Sequence, residues 1–159
     1  GHFPMLDNDI ICRCGKLGCL ETGASGSALT RWIKEKLKEG RRSSLWKVYH
    51  EAGDITLQDV LDAVENEDVL AIEGIGQVGE TLGRGIAGLI NVFNPGLVVI
   101  GGRLIVGRDY LMLPIRTAVN KHSLSKVSVD TKIRFSTLGR SAAAKGNCLL
   151  SRAKLLNLL

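Results

Sequence analysis

Residues 68–93 hold an apolar stripe through Ile72, Ile75, Leu82, Ile86, Leu89 and Phe93 until Asn94-Pro95-Gly96 stops it. This is the 3.6-residue period of one long helix, ~39 Å if continuous. Gly74, Gly76, Gly79, Gly83, Gly85 and Gly88 lie inside the stripe, each costing ~1 kcal/mol of helix propensity relative to Ala. Such a helix needs compensating packing, and residues this small let another element come close to its backbone. Glycine is abundant throughout, at 19 of 159 residues, whereas aromatic residues make up only 4%. Close backbone contacts should therefore matter more than aromatic anchors. The run Leu97-Val98-Val99-Ile100, ending at Gly101-Gly102, reads as a strand buried on both faces.

Elements of the same two kinds fill the rest of the chain. Leu29, Trp32, Ile33 and Leu37 recur at helical spacing from Ser27 onward, with Gly40 as a stop. Residues 41–53 read as a polar loop or short helix, and Thr56-Leu57-Gln58-Asp59 caps a short amphipathic helix through Val60, Leu61 and Val64. A helix is expected over 109–121, a strand over 132–136, and a helix over 142–156 with Ser141 as its cap and Cys148 as a small buried apolar residue. Helices alternating with buried strands give an α/β fold with at least partly parallel pairing. With 45% apolar and 23% charged residues and no apolar run near ~20 residues, the composition is that of a soluble globular protein without a membrane span. The net charge of +5 comes from 21 basic and 16 acidic residues mixed over most of the chain, which does not by itself argue for nucleic acid. The most basic stretch, 31–47, reads as a solvated helix face.

Three of the four cysteines fall in residues 1–26, an irregular, glycine-punctuated region that something other than packing must order. Cys12, Cys14 and Cys19, together with His2, are the ligand types of a closed tetrahedral zinc site, and Gly15 and Gly18 would let the backbone gather three sulfurs on one centre. A disulfide plus a spare thiol is the alternative. A Cys12 to Cys14 bridge across one residue would be strained, and three cysteines are poor disulfide arithmetic. Gly-His at a chain start can also be the scar of a removed tag. The chain begins with Gly1 rather than Met, and no signal-peptide pattern follows. A start made by cleavage or truncation is therefore expected, and such a piece can lack half of an active site.

Gly1-His2, Cys12-x-Cys14-Gly15-x-x-Gly18-Cys19-Leu20-Glu21 and Ala24-Ser25 closely resemble the signature of the ROK family of sugar kinases and sugar-responsive repressors. Residues 88–95, Val98 to Gly102, and Leu138-Gly139 ahead of a small-residue helix with Gly146 are similar to the same family. The resemblance implies the C-terminal lobe of an actin-like sugar-kinase fold. It divides the chain into a zinc-binding region at 1–26 and the α/β lobe at 27–159, with the N-terminal lobe and any DNA-binding domain outside this chain. It also implies Zn2+ held by His2, Cys12, Cys14 and Cys19, with Glu21 and His2 as sugar contacts. A carboxylate can accept from two hydroxyls, and a metal on one imidazole nitrogen leaves the other fixed as a donor.

The family's kinases use an Asp-x-Gly-x-Thr phosphate loop and a catalytic aspartate, and neither is in this sequence. No catalytic residue is therefore expected here. Gly101 and Gly102 resemble the family's adenosine-side glycine pair, but Ala143, Lys145 and Asn147 depart from the family pattern in the last small-residue region. Residues 40–57 look more like the repressor branch than the compact kinases. The expected function is the sugar-sensing part of a cytoplasmic, homo-oligomeric ROK transcriptional regulator. Its effector would be a sugar or sugar phosphate, and it would touch DNA only through a further domain. The alternative is part of a ROK glucokinase-like enzyme.

Overall fold

A computed structural model describes residues 1–158, leaving aside the side chains at 127, 128 and 140. Leu159, the last residue of the expected 27–159 lobe, lies outside the described residues. The chain runs through helices α1 (Gly26–Lys38), α2 (Leu45–Ala52), α3 (Leu57–Glu65) and α4 (Val69–Phe93), strand β1 (Leu97–Ile100), helices α5 (Arg108–His122) and α6 (Ser125–Ser128), strand β2 (Lys132–Phe135) and helix α7 (Ala142–Leu155). Short 3-10 turns lie at Leu20–Thr22, Arg103–Gly107 and Gly139–Ser141.

Helix α4 is the spine. Asp68 caps it, its Oδ1 accepting from the Ala71 amide at 3.0 Å, and Asn94 ends it in the left-handed conformation with φ 42°. The Asp68 carboxylate also accepts from the Ser44 amide at 2.7 Å and from the Ser43 and Ser44 hydroxyls, so the start of α4 anchors the turn into α2. Thr56 and Asp59 form the reciprocal capping box of α3, with the Asp59 amide donating to Thr56 Oγ1 at 3.2 Å and the Thr56 amide to Asp59 Oδ2 at 2.7 Å. The core is built from Leu29, Ile33 and Leu37 of α1, Val60, Leu61 and Val64 of α3, Leu70, Ile75 and Ile90 of α4, and Leu111 and Ile115 of α5. The stretch 41–53 resolves into helix α2, held at Leu45 with Val48 and Tyr49 against the core.

The glycines of α4 have different neighbours. A methyl at Gly83 would stand 2.6 Å from the Ile115 carbonyl oxygen and 2.7 Å from Ala118 Cβ, and one at Gly79 3.2 Å from the Leu111 carbonyl oxygen and from Pro114 Cβ. Helix α5 therefore lies against the α4 backbone itself, which is the compensation the sequence requires. A methyl at Gly88 would meet nothing within 4 Å.

Strands β1 and β2 pair in parallel, Leu97 beside Lys132 and Ile100 beside Phe135, joined by the crossover through α5. Val98, Ile100, Ile133 and Phe135 turn towards the helices. The expectation that β1 is buried on both faces is corrected, since Leu97 and Val99 are 52% and 58% exposed. Among the described residues the sheet has two strands, and helices cover one face of it. Two expectations for the last helix also change. Among the described residues it buries none, which leaves Cys148 exposed, and Ser141 stands at the N-cap position without a cap hydrogen bond, its Oγ donating instead to the Leu138 carbonyl at 3.4 Å.

Gly83→Ala should lower stability by ~1 to 3 kcal/mol because backbone must move to admit the methyl. Gly88→Ala should raise it by ~0.5 to 1 kcal/mol through helix propensity. Urea unfolding midpoints measured side by side check both signs, and a stable Gly83→Ala protein would show that α5 does not depend on this contact.

Candidate metal and ligand site

Residues 1–26 fold as a knot of turns. Single antiparallel bridges join Pro4 to Cys19 and Ile11 to Leu17, and the Cys12 amide donates to the Lys16 carbonyl while the Gly15 amide donates back to Cys12, both at 2.8 Å. Gly15 and Gly18 take left-handed φ values of 84° and 65°. At Gly18 the chain also passes so close to the Leu6 carbonyl that a Cβ would overlap it. The Gly18 carbonyl accepts from the Met5 and Leu6 amides at 2.9 Å each. Buried Thr22 donates to the Cys19 carbonyl at 2.8 Å, and Leu20 sits where a methyl on Gly85 of α4 would be. The knot is thus pressed onto the spine helix.

This folding gathers His2, Cys12 and Cys14 in one cluster and sets Cys19 beside Cys14. His2 Nδ1 lies 3.3 Å from Cys12 Sγ and Cys14 Sγ 3.5 Å from Cys19 Sγ, and the ligand atoms of His2, Cys12 and Cys14 all fall within 4.8 Å of one another. All four cysteines of the chain are unbridged, so the disulfide alternative is not the arrangement adopted. Zn–S bonds of ~2.3 Å and Zn–N bonds of ~2.0 Å set tetrahedral edges of roughly 3.5 to 3.8 Å, so the donor types and the His2–Cys12 and Cys14–Cys19 separations suit such an ion. The Lys16 amide, donating to the Cys14 sulfur, brings that thiol down from 9.0 to about 7, helped by the neighbouring thiols and His2. Burial pushes Cys19 up to about 11.

Glu21 lies within the knot, two residues past Cys19, and stands between two clefts. One, of ≈ 520 Å³, is also lined by His2, Cys12, Ser27 and Arg31. The other, of ≈ 600 Å³, is lined by Glu21, Ser25, Gly101, Gly102, Arg103 and apolar residues of α4 and β1. The expected sugar contact and the expected adenosine-side glycines therefore share one cleft, and His2 approaches Glu21 from the other side. Two residues not singled out from the sequence also stand here. The Arg31 guanidinium donates to the Thr22 carbonyl, bracing the knot from α1, and Arg103 brings a cation beside Gly102. Arg31 belongs to the basic stripe in sequence, and nothing in its spacing marks it. Its neighbours in that stripe behave as the solvated reading expects, with Lys36 paired to Glu39 and Arg41 to Glu73, each at 2.7 Å.

The family model that matches is the ROK family, over residues 1–154. The chain belongs to the ROK family. It is 34% identical to a glucokinase of Halalkalibacterium halodurans over 92% of this chain and 44% of that protein. It is 32% identical to the N-acetylglucosamine repressor of Escherichia coli O157:H7 over all of this chain and 38% of that protein. Among solved structures it resembles a ROK family transcriptional regulator, a homologue of the E. coli Mlc protein, with a TM-score of 0.75 at 32% identity, over 85% of this chain and 33% of that one. The chain thus spans less than half the length of these relatives and shares its mixed α/β fold with both ROK regulators and ROK kinases.

Gly18→Ala should destabilise this region of the ROK chain by ~2 kcal/mol or more, because it adds a left-handed residue with a side chain to a backbone contact. Gly15→Asn, at a left-handed position open to solvent, should cost far less. Thermal unfolding of the two variants makes the comparison, and equal melting temperatures would contradict the tight closure at Gly18.

Proposed function

We propose that this chain is the sugar-sensing part of a cytoplasmic ROK transcriptional regulator, stabilised by one zinc ion. The observation that carries the reading is the match to an N-acetylglucosamine repressor over the whole chain, including residues 40–57, which form α2 and the turn into α3. In this reading DNA is contacted through a further domain. The two lobes of the intact protein close on a sugar or sugar phosphate between Glu21 and a wall supplied by the other lobe. Gly101 and Gly102 then serve as a scaffold turn. The 34% identity to a glucokinase supports a second reading, part of a ROK sugar kinase, in which the same turn would receive the adenosine of ATP. The sequence of the intact gene product separates the two: a helix-turn-helix fits the regulator, and a phosphate loop with a catalytic aspartate fits the kinase.

His2, Cys12, Cys14 and Cys19 would hold the zinc. When bound, the ion supplies a tetrahedral cross-link to a segment with few core residues of its own. With Nδ1 turned to the thiols, His2 keeps Nε2 for a second partner, so the group that holds the metal also orients a donor beside Glu21. Glu21 accepts from sugar hydroxyls. Apolar residues left open on the outer face of the sheet and on α7 favour self-association, and no described helix is long and apolar enough to cross a membrane.

Elemental analysis should find one zinc per chain, and Cys14→Ser should remove it and lower the melting temperature by several degrees. A metal-free protein whose melting temperature is unchanged by Cys14→Ser would defeat the zinc assignment. In the full-length protein Glu21→Ala should weaken sugar binding roughly ten- to a hundredfold, the ~1.5 to 3 kcal/mol of a hydrogen bond to a charged group, while leaving zinc content intact. Calorimetry with wild-type affinity in that variant would remove Glu21 from the sugar site.

A further inference from the structure

The charge of this chain is sharply divided. Residues 110–159 carry nine Lys and Arg against Asp130 alone, a net +8, while the first 109 residues carry twelve against fifteen, a net −3. The division holds in the fold as well. Every ion pair among the described residues lies at or before position 109, where Lys34 meets Asp54 and Arg41 meets Glu73. Among the described residues, Arg116 of α5 and Lys132 and Arg134 of β2 have no acidic partner. They converge, with Asn120 and Thr131, on a cleft of ≈ 420 Å³ that shares no residue with the clefts at Glu21. Lys121, in the last turn of α5, and Lys126, in α6, add two exposed cations to the crossover between α5 and β2.

Three solvated cations left unneutralised around one cleft repel each other, and only an anion with several charges relieves all of them at once. Arginine and lysine side chains of this kind neutralise phosphates and release the counterions condensed on a polyanion. No aromatic ring lines the cleft: Tyr110 and Phe135 are half-buried against the core, and the exposed ring of Phe93 at the end of α4 is not among the lining residues. The cleft itself therefore offers no stacking platform for unpaired bases, and what fits it is the phosphate backbone of a duplex.

We propose that the α5–β2 cleft and the basic surface around it bind the phosphate backbone of duplex DNA without regard to sequence. In the intact protein this would be a second DNA contact, separate from any sequence-reading domain. The charge placement selects a phosphodiester duplex, and the choice of DNA over RNA rests on the regulator reading above.

The test is fluorescence anisotropy of a labelled 30-base-pair duplex of random sequence, titrated with the protein without sugar at 50 to 200 mM KCl. A plot of log affinity against log salt should be steep. Arg116→Gln/Lys132→Gln/Arg134→Gln should lower its slope by about 2.7, from three lost phosphate contacts at ~0.9 each. Lys38→Gln/Arg42→Gln/Lys47→Gln, which removes the same charge from exposed positions elsewhere, should leave the slope within one unit of wild type. Arg134→Lys should retain most of the binding, and circular dichroism should show all variants folded. No binding at 50 mM KCl, or equal slopes for the two triple variants, would overturn the proposal. So would tighter binding of an RNA duplex, of inorganic phosphate or of phosphatidylserine vesicles run in parallel. The probe carries no operator and the assay no sugar, so this result is independent of the Glu21 test, and its failure would leave the regulator reading standing.

Discussion

The contact between α4 and α5 at Gly79 and Gly83 determines where almost everything else can go. Because Ile115 and Ala118 rest on bare backbone, the two helices sit closer than any pair separated by side chains. This fixes the start of the crossover that delivers β2 to β1. Other positions along the same α4 helix receive other parts of the molecule: Gly74 faces Leu29 and Ile33 of α1, and Gly85 faces Leu20 at the end of the cysteine knot. One helix with small residues at chosen positions thus serves as the common reference for the core, the sheet and the candidate site. Interiors packed this tightly transmit displacements rather than absorb them.

Much of this was legible in the sequence, because helical period and capping are local properties. The stripe of α4, its stop at Asn94, the Thr56–Asp59 box and the clustering of His2, Cys12 and Cys14 all follow from residues within a few turns of each other. Burial is not local, and there the reading failed. Leu97-Val98-Val99-Ile100 has the composition of a doubly covered strand, but composition reports what a face would accept and says nothing of what is there to cover it; Cys148 was misjudged for the same reason. The meeting of Glu21 with Gly101 and Gly102 in one cleft was equally invisible, since 80 residues separate them and only the crossing of α4 by the knot brings them together.

The site also shows how a short irregular segment can be made rigid enough to recognise a ligand. Residues 1–25 contribute few of the buried core side chains, yet their backbone is fixed by paired amides at Gly18, by Thr22 beneath Cys19 and by Arg31 reaching back from α1. A metal at the thiols would complete this bracing. Glu21, the next residue but one after the last thiol, would then present its carboxylate from a position with little freedom to lose on binding, which is how preorganisation contributes to affinity.

The open side of β1 bears on solubility. Among the described residues, four uncharged, β-prone residues present one unpaired edge and two exposed apolar side chains, Leu97 and Val99, the combination from which chains template one another edge to edge. Pro95-Gly96 before the strand and Gly101-Gly102 after it act as gatekeepers, keeping the sticky segment to four residues. The exposed edge is therefore a liability of its own: any partner or domain that caps it keeps the protein from aggregating before it contributes anything to sensing, and selection on the strand would act through yield as much as through activity.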